Sequence, residues 1–349
     1  MAISANSRII VTGGAGFIGS ALIWELNQRG CRNIIVVDRL HDGEKWRNLT
    51  PLQFADFVHA DDFIEQLEEK RHLLGPVGAV FHLGACSATT ERDADYLIRN
   101  NYQYTKRLAE WSMEVKARFL YASSAATYGD GSEGMDDRER NLSRFRPLNM
   151  YGYSKHLFDC YAARNRILGG MIGLKYFNVF GPNENHKGDM RSVVNKAYAQ
   201  VVETGKIQLF KSHHPDYADG EQKRDFLYVK DAVRMTLALA DHPLAGGLFN
   251  IGSGIAHTWV DLANAIFAAM GRKPKIDFIE MPEAIRSKYQ YFTEANIGKL
   301  RDNGYTAGIT PLEDAVGDYV QNYLDHDRRL GDGDESDQPV TADPEEGTR

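Results

Sequence analysis

Short apolar runs alternate with longer amphipathic stretches through the first half of the chain. The runs occupy residues 8–12, 33–38, 78–83 and 118–123. Apolar positions with helical spacing follow the first run up to about Arg29 and occupy residues 92–116. Buried strands that alternate with helices of this length indicate βαβ units and a parallel sheet. The pattern over residues 1–177 therefore predicts an α/β domain, a doubly wound parallel sheet of the Rossmann-like kind.

The regular alternation ends after Asn178. A loop rich in Gly, Pro, Asn and His comes first, then a predicted helix from about Asp189 and a long polar stretch at 211–224. Further helices are predicted at 231–241, 257–270 and 312–325, with a short strand at 247–251. We expect residues 178–325 to form a smaller, mostly helical substrate lobe, and segments near 226–252 to return and complete the sheet. The ligand cleft then lies between the lobes, beyond the carboxyl ends of the strands.

Several classes of protein are disfavoured by composition. No stretch approaches about 18 uninterrupted apolar residues, so no membrane-spanning helix is predicted. The first residues contain neither a basic segment nor a long apolar one, so no secretory signal is predicted. Cys31, Cys86 and Cys160 form no CxxC pair. A few scattered cysteines indicate reduced thiols, and we therefore expect a cytoplasmic protein without a membrane partner.

The net charge of -7 is concentrated at the end of the chain. Residues 331–349 contain seven acidic residues and one arginine, so the rest of the chain is close to neutral. That balance does not suggest a nucleic-acid partner. The tail has almost nothing to bury and is predicted to be disordered. His213 and His214 have no further ligands at a helpful spacing, so no metal site is predicted.

A glycine-rich segment joins the first strand to the first helix. Gly13, Gly16 and Gly19 allow a tight turn and bring backbone N–H groups against a pyrophosphate at the start of the helix. Asp38 ends the second strand and can accept hydrogen bonds from an adenosine ribose, which favours NAD. Arg39 and Lys45 follow it and can hold a 2′-phosphate instead. These residues leave NAD and NADP both open.

A tyrosine and a lysine at helical spacing supply candidate acid–base chemistry. Tyr151 and Lys155 are four residues apart and share one face of a predicted helix. A free phenol titrates near ~10, and a neighbouring ammonium favours its ionised form. The strand at 118–123 leads into Ser124, whose hydroxyl can bind a substrate oxygen.

These motifs in this order resemble the extended short-chain dehydrogenase/reductase superfamily. Within it, the chain resembles one family in particular, the ADP-L-glycero-D-manno-heptose 6-epimerases. The resemblance extends over about residues 8–325, and the segments that carry it are 84–87, 89–91, 100–104, 121–129, 176–182, 186–188, 223–226 and 289–293. It implies that Tyr151 is the acid/base, that Lys155 activates it and binds ribose, and that Ser124 orients the substrate. Lys187 stands where the family has a second base.

The resemblance also implies two sets of binding residues. Those expected to contact NADP are Gly13, Gly16, Phe17, Ile18, Gly19, Asp38, Arg39, Lys45, Leu83, Gly84, Ala85, Cys86, Ser87, Asn100, Lys155, Val179 and Lys187. Those expected to contact the substrate are Asn178, Phe210, Arg224 and Tyr289. Asp189, Lys196 and the longer segment 211–222 depart from the family pattern. A carboxylate at Asp189 is expected to repel a diphosphate.

The implied reaction inverts carbon 6 of an ADP-heptose without net redox change. The hydrogen on that carbon is not acidic, so inversion requires oxidation to a ketone by bound NADP and hydride return to the opposite face. The resemblance further implies a homo-oligomer, a pentamer, that acts in the synthesis of the lipopolysaccharide inner-core heptose.

Three questions stay open at this level. Lys187 is either the second base or a ligand of phosphates. A UDP-hexose 4-epimerase shares the fold, the tyrosine and the lysine, whereas a 4,6-dehydratase needs acids where this chain has Ala125 and Ala126. The third alternative is a non-catalytic regulatory protein that senses nicotinamide. Such a protein can dispense with the acid/base residues, whereas Tyr151, Lys155 and Ser124 are all present here.

Overall fold

The computed structural model describes residues 3–69, 75–138, 140–286 and 289–333. The acidic tail predicted to be disordered lies outside the described residues, apart from its first three positions. None of the helices in the described segments is long and apolar enough to cross a membrane.

The strands alternate with helices as the apolar pattern predicts. The strands are β1 (Ile9–Thr12), β2 (Ile34–Asp38), β3 (Asp56–His59), β4 (Ala79–His82), β5 (Arg118–Ser124), β6 (Ile172–Tyr176), β7 (Asn178–Phe180), β8 (Ile207–Phe210), β9 (Lys223–Tyr228), β10 (Gly247–Ile251), β11 (Ala256–Thr258) and β12 (Ile276–Ile279). The α-helices are α1 (Phe17–Gln28), α2 (Ala60–Glu69), α3 (Ala94–Leu97), α4 (Tyr104–Glu114), α5 (Met150–Arg164), α6 (Val193–Thr204), α7 (Val229–Asp241), α8 (Trp259–Ala269), α9 (Glu283–Arg286), α10 (Gly298–Asp302) and α11 (Leu312–Asp318). Wider π-helical turns at Ile98–Gln103 and Tyr319–Leu324 extend α3 and α11, and a 3-10 segment covers Asn185–Met190.

A seven-stranded parallel sheet forms the centre of the described structure. Its order is β10-β6-β5-β4-β1-β2-β3. β1, β2 and β4 are buried at every position, which explains why the sequence shows apolar runs there. The chain runs outward from β1 in one direction and then from β4 in the other, so the carboxyl ends of β1 and β4 flank a switch point where ligands bind in open α/β sheets. The predicted doubly wound fold is confirmed.

The second half differs from the prediction in three details. Of the segments near 226–252 that were expected to complete the large sheet, β10 does so by pairing with β6, whereas β9 pairs with β7 and β11 in a separate three-stranded sheet. β8 and β12 form another small sheet, so this half contains more strand than expected. The helix expected from about Asp189 begins at Val193, because Ser192 caps it by accepting a hydrogen bond from the N–H of Asn195.

Candidate active site

The glycine-rich segment is a cradle that larger residues would fill. Gly13 has a φ of +69°, and a Cβ there would lie 2.6 Å from the nitrogen of Gly84. A Cβ at Gly19 would lie 2.0 Å from the carbonyl oxygen of Gly13. Gly16 precedes α1, and no side chain among the described residues caps the first turn of that helix. Its N–H groups and the positive end of its dipole therefore suit a phosphate group, so these residues fit a dinucleotide.

Asp38 closes the cradle at the end of β2. Its carboxylate accepts hydrogen bonds from the backbone N–H groups of Ala15 (2.9 Å) and Arg39 (2.7 Å) and from Nζ of Lys45 (2.7 Å). The lysine neutralises the buried carboxylate, which weakens the repulsion that Asp38 would exert on a 2′-phosphate. A small cavity of about 90 Å³ at this corner is lined by Asp38, Arg39, Lys45 and Asn100, among others.

The guanidinium of Arg39 is already engaged at the edge of this corner. It donates to Oδ1 of Asn100 at 2.8 Å and to Oδ1 of Asp61 at 2.5 Å. Arg39 holds the pKa of the Asp61 carboxyl below its usual value. Asp61 therefore competes with any phosphate that approaches Arg39, and the sequence reading did not identify it.

Tyr151, Lys155 and Ser124 meet where β5 ends beside α5. Asn149 caps α5 by accepting a hydrogen bond from the N–H of Gly152 (2.8 Å), which places Tyr151 in the first turn. Burial raises the pKa of the Tyr151 phenol, and its hydrogen bond with Ser124 acts in the opposite direction. Nζ of Lys155 donates to the carbonyl oxygen of Ala122 at 2.8 Å. Burial lowers the pKa of Lys155 to about 8.

A buried ion pair supports this corner from behind. Lys175 on β6 and Asp159 on α5 lie 2.8 Å apart, with side chains 1% and 0% exposed. The hydroxyls of Tyr121 and Ser123 each donate to the Asp159 carboxylate at 2.8 Å. Four side chains thus tie β5 and β6 to the helix that carries Tyr151. This pair was not predicted from the sequence, although a lysine inside the otherwise uncharged segment Ile172–Tyr176 was a signal for it.

Lys187 lies on a loop, residues 181–192, that is tied down at both ends. The buried carboxylate of Glu184 accepts hydrogen bonds from the N–H of Gly181 before the turn and from Oγ of Ser192 after it (2.6 Å). Nδ2 of Asn48 donates to the carbonyl oxygens of Ala15 and Asn183, both at 3.0 Å, and so joins this loop to the glycine-rich segment. Neither Glu184 nor Asn48 was singled out from the sequence.

A cavity of about 810 Å³ connects these parts. The predicted residues that line it are Gly13, Gly16, Phe17, Ile18, Gly19, Asp38, Lys45, Leu83, Gly84, Ala85, Cys86, Ser87, Ser124, Tyr151, Lys155, Asn178, Val179 and Lys187. Residues that come from distant parts of the chain therefore share one space whose volume is in the range of ligand and cofactor pockets.

Arg224, Tyr289 and Phe210 lie outside the lining of this cavity. The guanidinium of Arg224 lies over the rings of Trp259 (5.8 Å) and Tyr289 (5.1 Å). It donates to the carbonyl oxygens of Lys223 and Gln290. Trp259 itself lines the cavity, so this group borders the space without entering it.

Comparison with known proteins reveals close relatives. The model of the "NAD dependent epimerase/dehydratase family" matches residues 9–252. An ADP-L-glycero-D-manno-heptose-6-epimerase of Nitratidesulfovibrio vulgaris (strain Hildenborough) is 56% identical over 315 residues, which cover 90% of this chain and 97% of the relative. A protein of the same name from Fusobacterium nucleatum is 46% identical over 325 residues, 90% of this chain and 98% of the relative.

Solved structures of similar fold include a Helicobacter pylori ADP-L-glycero-D-manno-heptose-6-epimerase. It has a TM-score of 0.77 and 25% identity, and the match covers 92% of this chain and 98% of that one. A UDP-N-acetylglucosamine 4-epimerase from Methanobrevibacter ruminantium has a TM-score of 0.78 at 20% identity, covering 93% and 100%. That second likeness concerns the fold alone.

Proposed function

The chain belongs to the NAD dependent epimerase/dehydratase family, and from that premise we propose that it interconverts ADP-D-glycero-β-D-manno-heptose and ADP-L-glycero-β-D-manno-heptose. The names of the relatives support this substrate. The observation that carries the proposal is that Tyr151 with Lys155 and, from another part of the chain, Lys187 line the same cavity as the glycine-rich cradle.

The reaction needs two proton-transferring groups because one centre is inverted. A bound nicotinamide would accept the hydride of carbon 6 and return it to the other face of the ketone. The oxygen on carbon 6 then changes its direction between the two half-reactions, since the ketone must turn over. We propose that Tyr151 exchanges the proton of the 6-hydroxyl in one epimer and that Lys187 does so in the other.

The residues around Tyr151 suit this role. Burial, and to a smaller extent Cys86, raises the pKa of its phenol, so the phenolate needs support from neighbouring groups. Ser124 donates to the phenolate or to the substrate oxygen and keeps the two within reach of each other. Lys155 remains largely charged at neutral pH although its pKa is lowered to about 8. Its ammonium favours the ionised tyrosine and is available to a ribose hydroxyl.

For the cofactor we propose NADP in preference to NAD. Lys45 neutralises Asp38 across 2.7 Å, and Arg39 lies at the same corner. The carboxylate of Asp61 disfavours the 2′-phosphate of NADP, so the relative binding of NADP and NAD has to be measured. Nucleotide released from the purified, denatured protein is identified by mass spectrometry, and NADP is the expected species. Release of NAD alone would overturn this part of the proposal.

One assay tests the epimerase activity directly. The purified protein is incubated in D₂O with ADP-D-glycero-β-D-manno-heptose, and carbon 6 is followed by NMR. We expect the two epimers to interconvert without net consumption of nicotinamide and without deuterium at carbon 6, because the hydride leaves and returns within the site. Deuterium at carbon 6 would contradict the redox route. Conversion of UDP-glucose but not of the ADP-heptose would indicate a UDP-hexose 4-epimerase.

We further propose that the protein is a cytoplasmic homo-oligomer, a pentamer, that supplies heptose for the lipopolysaccharide inner core. The resemblance to the epimerase family supports these points, as it supports the division near residue 178 into a cofactor domain and a substrate lobe. Analytical ultracentrifugation measures the oligomeric state, and a monomer at micromolar concentration would overturn the pentamer.

A further inference from the structure

Arg191 lines the large cavity, although no sequence motif singles it out. It follows Lys187 by four positions on the loop of residues 181–192. Gly188 lies between them with a φ of +53°, a left-handed conformation that bends the 3-10 segment. As a result Lys187 and Arg191 both line the cavity, whereas Asp189 is exposed and is absent from the lining. The carboxylate that was expected to repel a diphosphate is therefore directed away, and a cation occupies the wall.

The side chain of Arg191 is held in place with part of its guanidinium unused. Nε donates to the carbonyl oxygen of Gly188 at 2.8 Å, and Nη1 donates to Oδ1 of Asn195 at 3.1 Å. Within the part of the chain that the structure describes, Nη2 makes no hydrogen bond and no carboxylate forms an ion pair with this arginine. Glu184, the nearest buried acid of the loop, is bonded to Ser192 instead. A fixed guanidinium with free donors is well suited to phosphate oxygens.

The lysines that line the cavity are engaged by other groups or are proposed for proton transfer. Lys45 is paired with Asp38, and Lys155 donates to a carbonyl oxygen beside Tyr151. Lys187 must gain and lose a proton if it is the second base, so it cannot serve as a constant positive charge. Arg224 is permanently charged, but its guanidinium is bonded to two backbone carbonyls, lies over two aromatic rings and is outside the cavity lining. Arg191 is thus a permanent cation that lines the cavity and that, among the described residues, pairs with no carboxylate and keeps donors free.

We propose that Arg191 binds the diphosphate of the nucleotide-sugar substrate. The proposal for Arg191 rests on the proposed function only because it takes an ADP-sugar as the ligand. The group that Arg191 would recognise is the diphosphate of any nucleoside diphosphate. The cofactor has its own phosphate cradle at the start of α1, so the second diphosphate in the cavity needs a separate cation. Arg191 supplies it, and the exposed position of Asp189 removes the repulsion.

The test compares two variants with a control of equal charge. Arg191→Gln removes the cation, and Arg191→Met keeps the apolar stem in place of the charge. The control is Lys206→Gln, because Lys206 lies just beyond α6, is 51% exposed and pairs with Asp277 at 2.9 Å. For each holoenzyme the KM and kcat for the ADP-heptose, the Kd for ADP by calorimetry, the NADP content and the Tm are measured.

We expect both Arg191 variants to raise the KM and the Kd for ADP roughly 10- to 100-fold, the loss typical of a hydrogen bond to a charged group. Their kcat, NADP content and Tm should stay close to those of the control. Arg191→Lys should restore part of the affinity, because it returns the charge without the planar fork.

Two results would overturn the proposal. The first is that both Arg191 variants bind ADP with the same Kd as Lys206→Gln. The second is that the Arg191 variants lose NADP while their ADP binding is unchanged, which would assign Arg191 to the cofactor. If the wild-type protein does not turn over the ADP-heptose, the proposed function fails, but calorimetry with ADP and UDP still decides the role of Arg191.

Discussion

The ammonium of Lys187 lies 5.3 Å from the centre of the Phe17 ring, at the first residue of α1. A residue of the second half of the chain is thereby held over the start of the helix that would bind the cofactor phosphates. Burial lowers the pKa of Lys187, and the carboxylate of Glu184 opposes that shift. The lysine therefore releases its proton more readily than a free one, as a base near neutral pH requires.

Lys187→Ala should lose epimerisation by about 10²- to 10⁴-fold while keeping the fold and NADP. If Lys187 serves only one epimer, the variant should reduce bound NADP with one ADP-heptose epimer and not with the other. Stopped-flow absorbance of the reduced nicotinamide measures this difference. Near-normal turnover in the variant would remove the second-base role and leave Lys187 as a binding residue.

Tyr151→Phe should show the complementary defect. Loss of the phenol removes the other proton acceptor, so epimerisation should again fall by about 10²- to 10⁴-fold, and the surviving half-reaction should be with the opposite epimer. The matched control is Tyr153→Phe, because Tyr153 is on the same helix and is 46% exposed. Equal defects with both epimers would contradict a division of labour between Tyr151 and Lys187.

Because Lys155 is buried, the free energy of unfolding should depend on pH and should rise as the pH rises. It is 4% exposed, and burial lowers its pKa from 10.5 to about 8. Between these values the unfolded chain binds more protons than the folded one, so the free energy of unfolding rises with pH there. This shift corresponds to about 3 kcal/mol.

Urea unfolding of the cofactor-free protein measures this effect against Lys155→Met. The wild-type protein should become more stable relative to the variant as the pH rises from 8 to 10.5, and the difference should be constant below that window. A difference that does not change across this range would mean that the buried lysine titrates as it does in water.

Asp61→Asn should strengthen the binding of NADP relative to that of NAD. The substitution releases Arg39 from a contact of 2.5 Å, so its guanidinium becomes available to the 2′-phosphate. We expect the Kd for NADP to fall several-fold while that for NAD changes little, with the gain fading at high salt because Asp61 is exposed. Fluorescence titration of the reduced cofactors measures both. Asp62→Asn, at the exposed neighbouring acid, is the control, and an equal change in it would indicate a general charge effect.

The sheet and the cofactor cradle were predictable because their signals are local. A run of apolar residues, a glycine turn and a helix identify β1 and α1, and a spacing of four residues places Tyr151 and Lys155 on one helical face. The division of strands among sheets was not predictable: segments near 226–252 were expected to complete the large sheet, but β9 pairs with β7 and β11 instead. Strand pairing depends on contacts between segments that a local pattern does not encode.

The sequence by itself determined the parallel sheet, the glycine-rich cradle and the residues available for acid–base chemistry, since each depends on neighbours within a few positions. Only the tertiary structure decided which charges are free. In the folded chain Arg39 is bonded to Asp61, and Arg224 lies over two aromatic rings outside the cavity lining. Asp189 is exposed and outside the lining, whereas Arg191 lines the cavity. The physical reason is that a side chain's partners are set by long-range packing and by single backbone turns, and spacing along the chain does not record either.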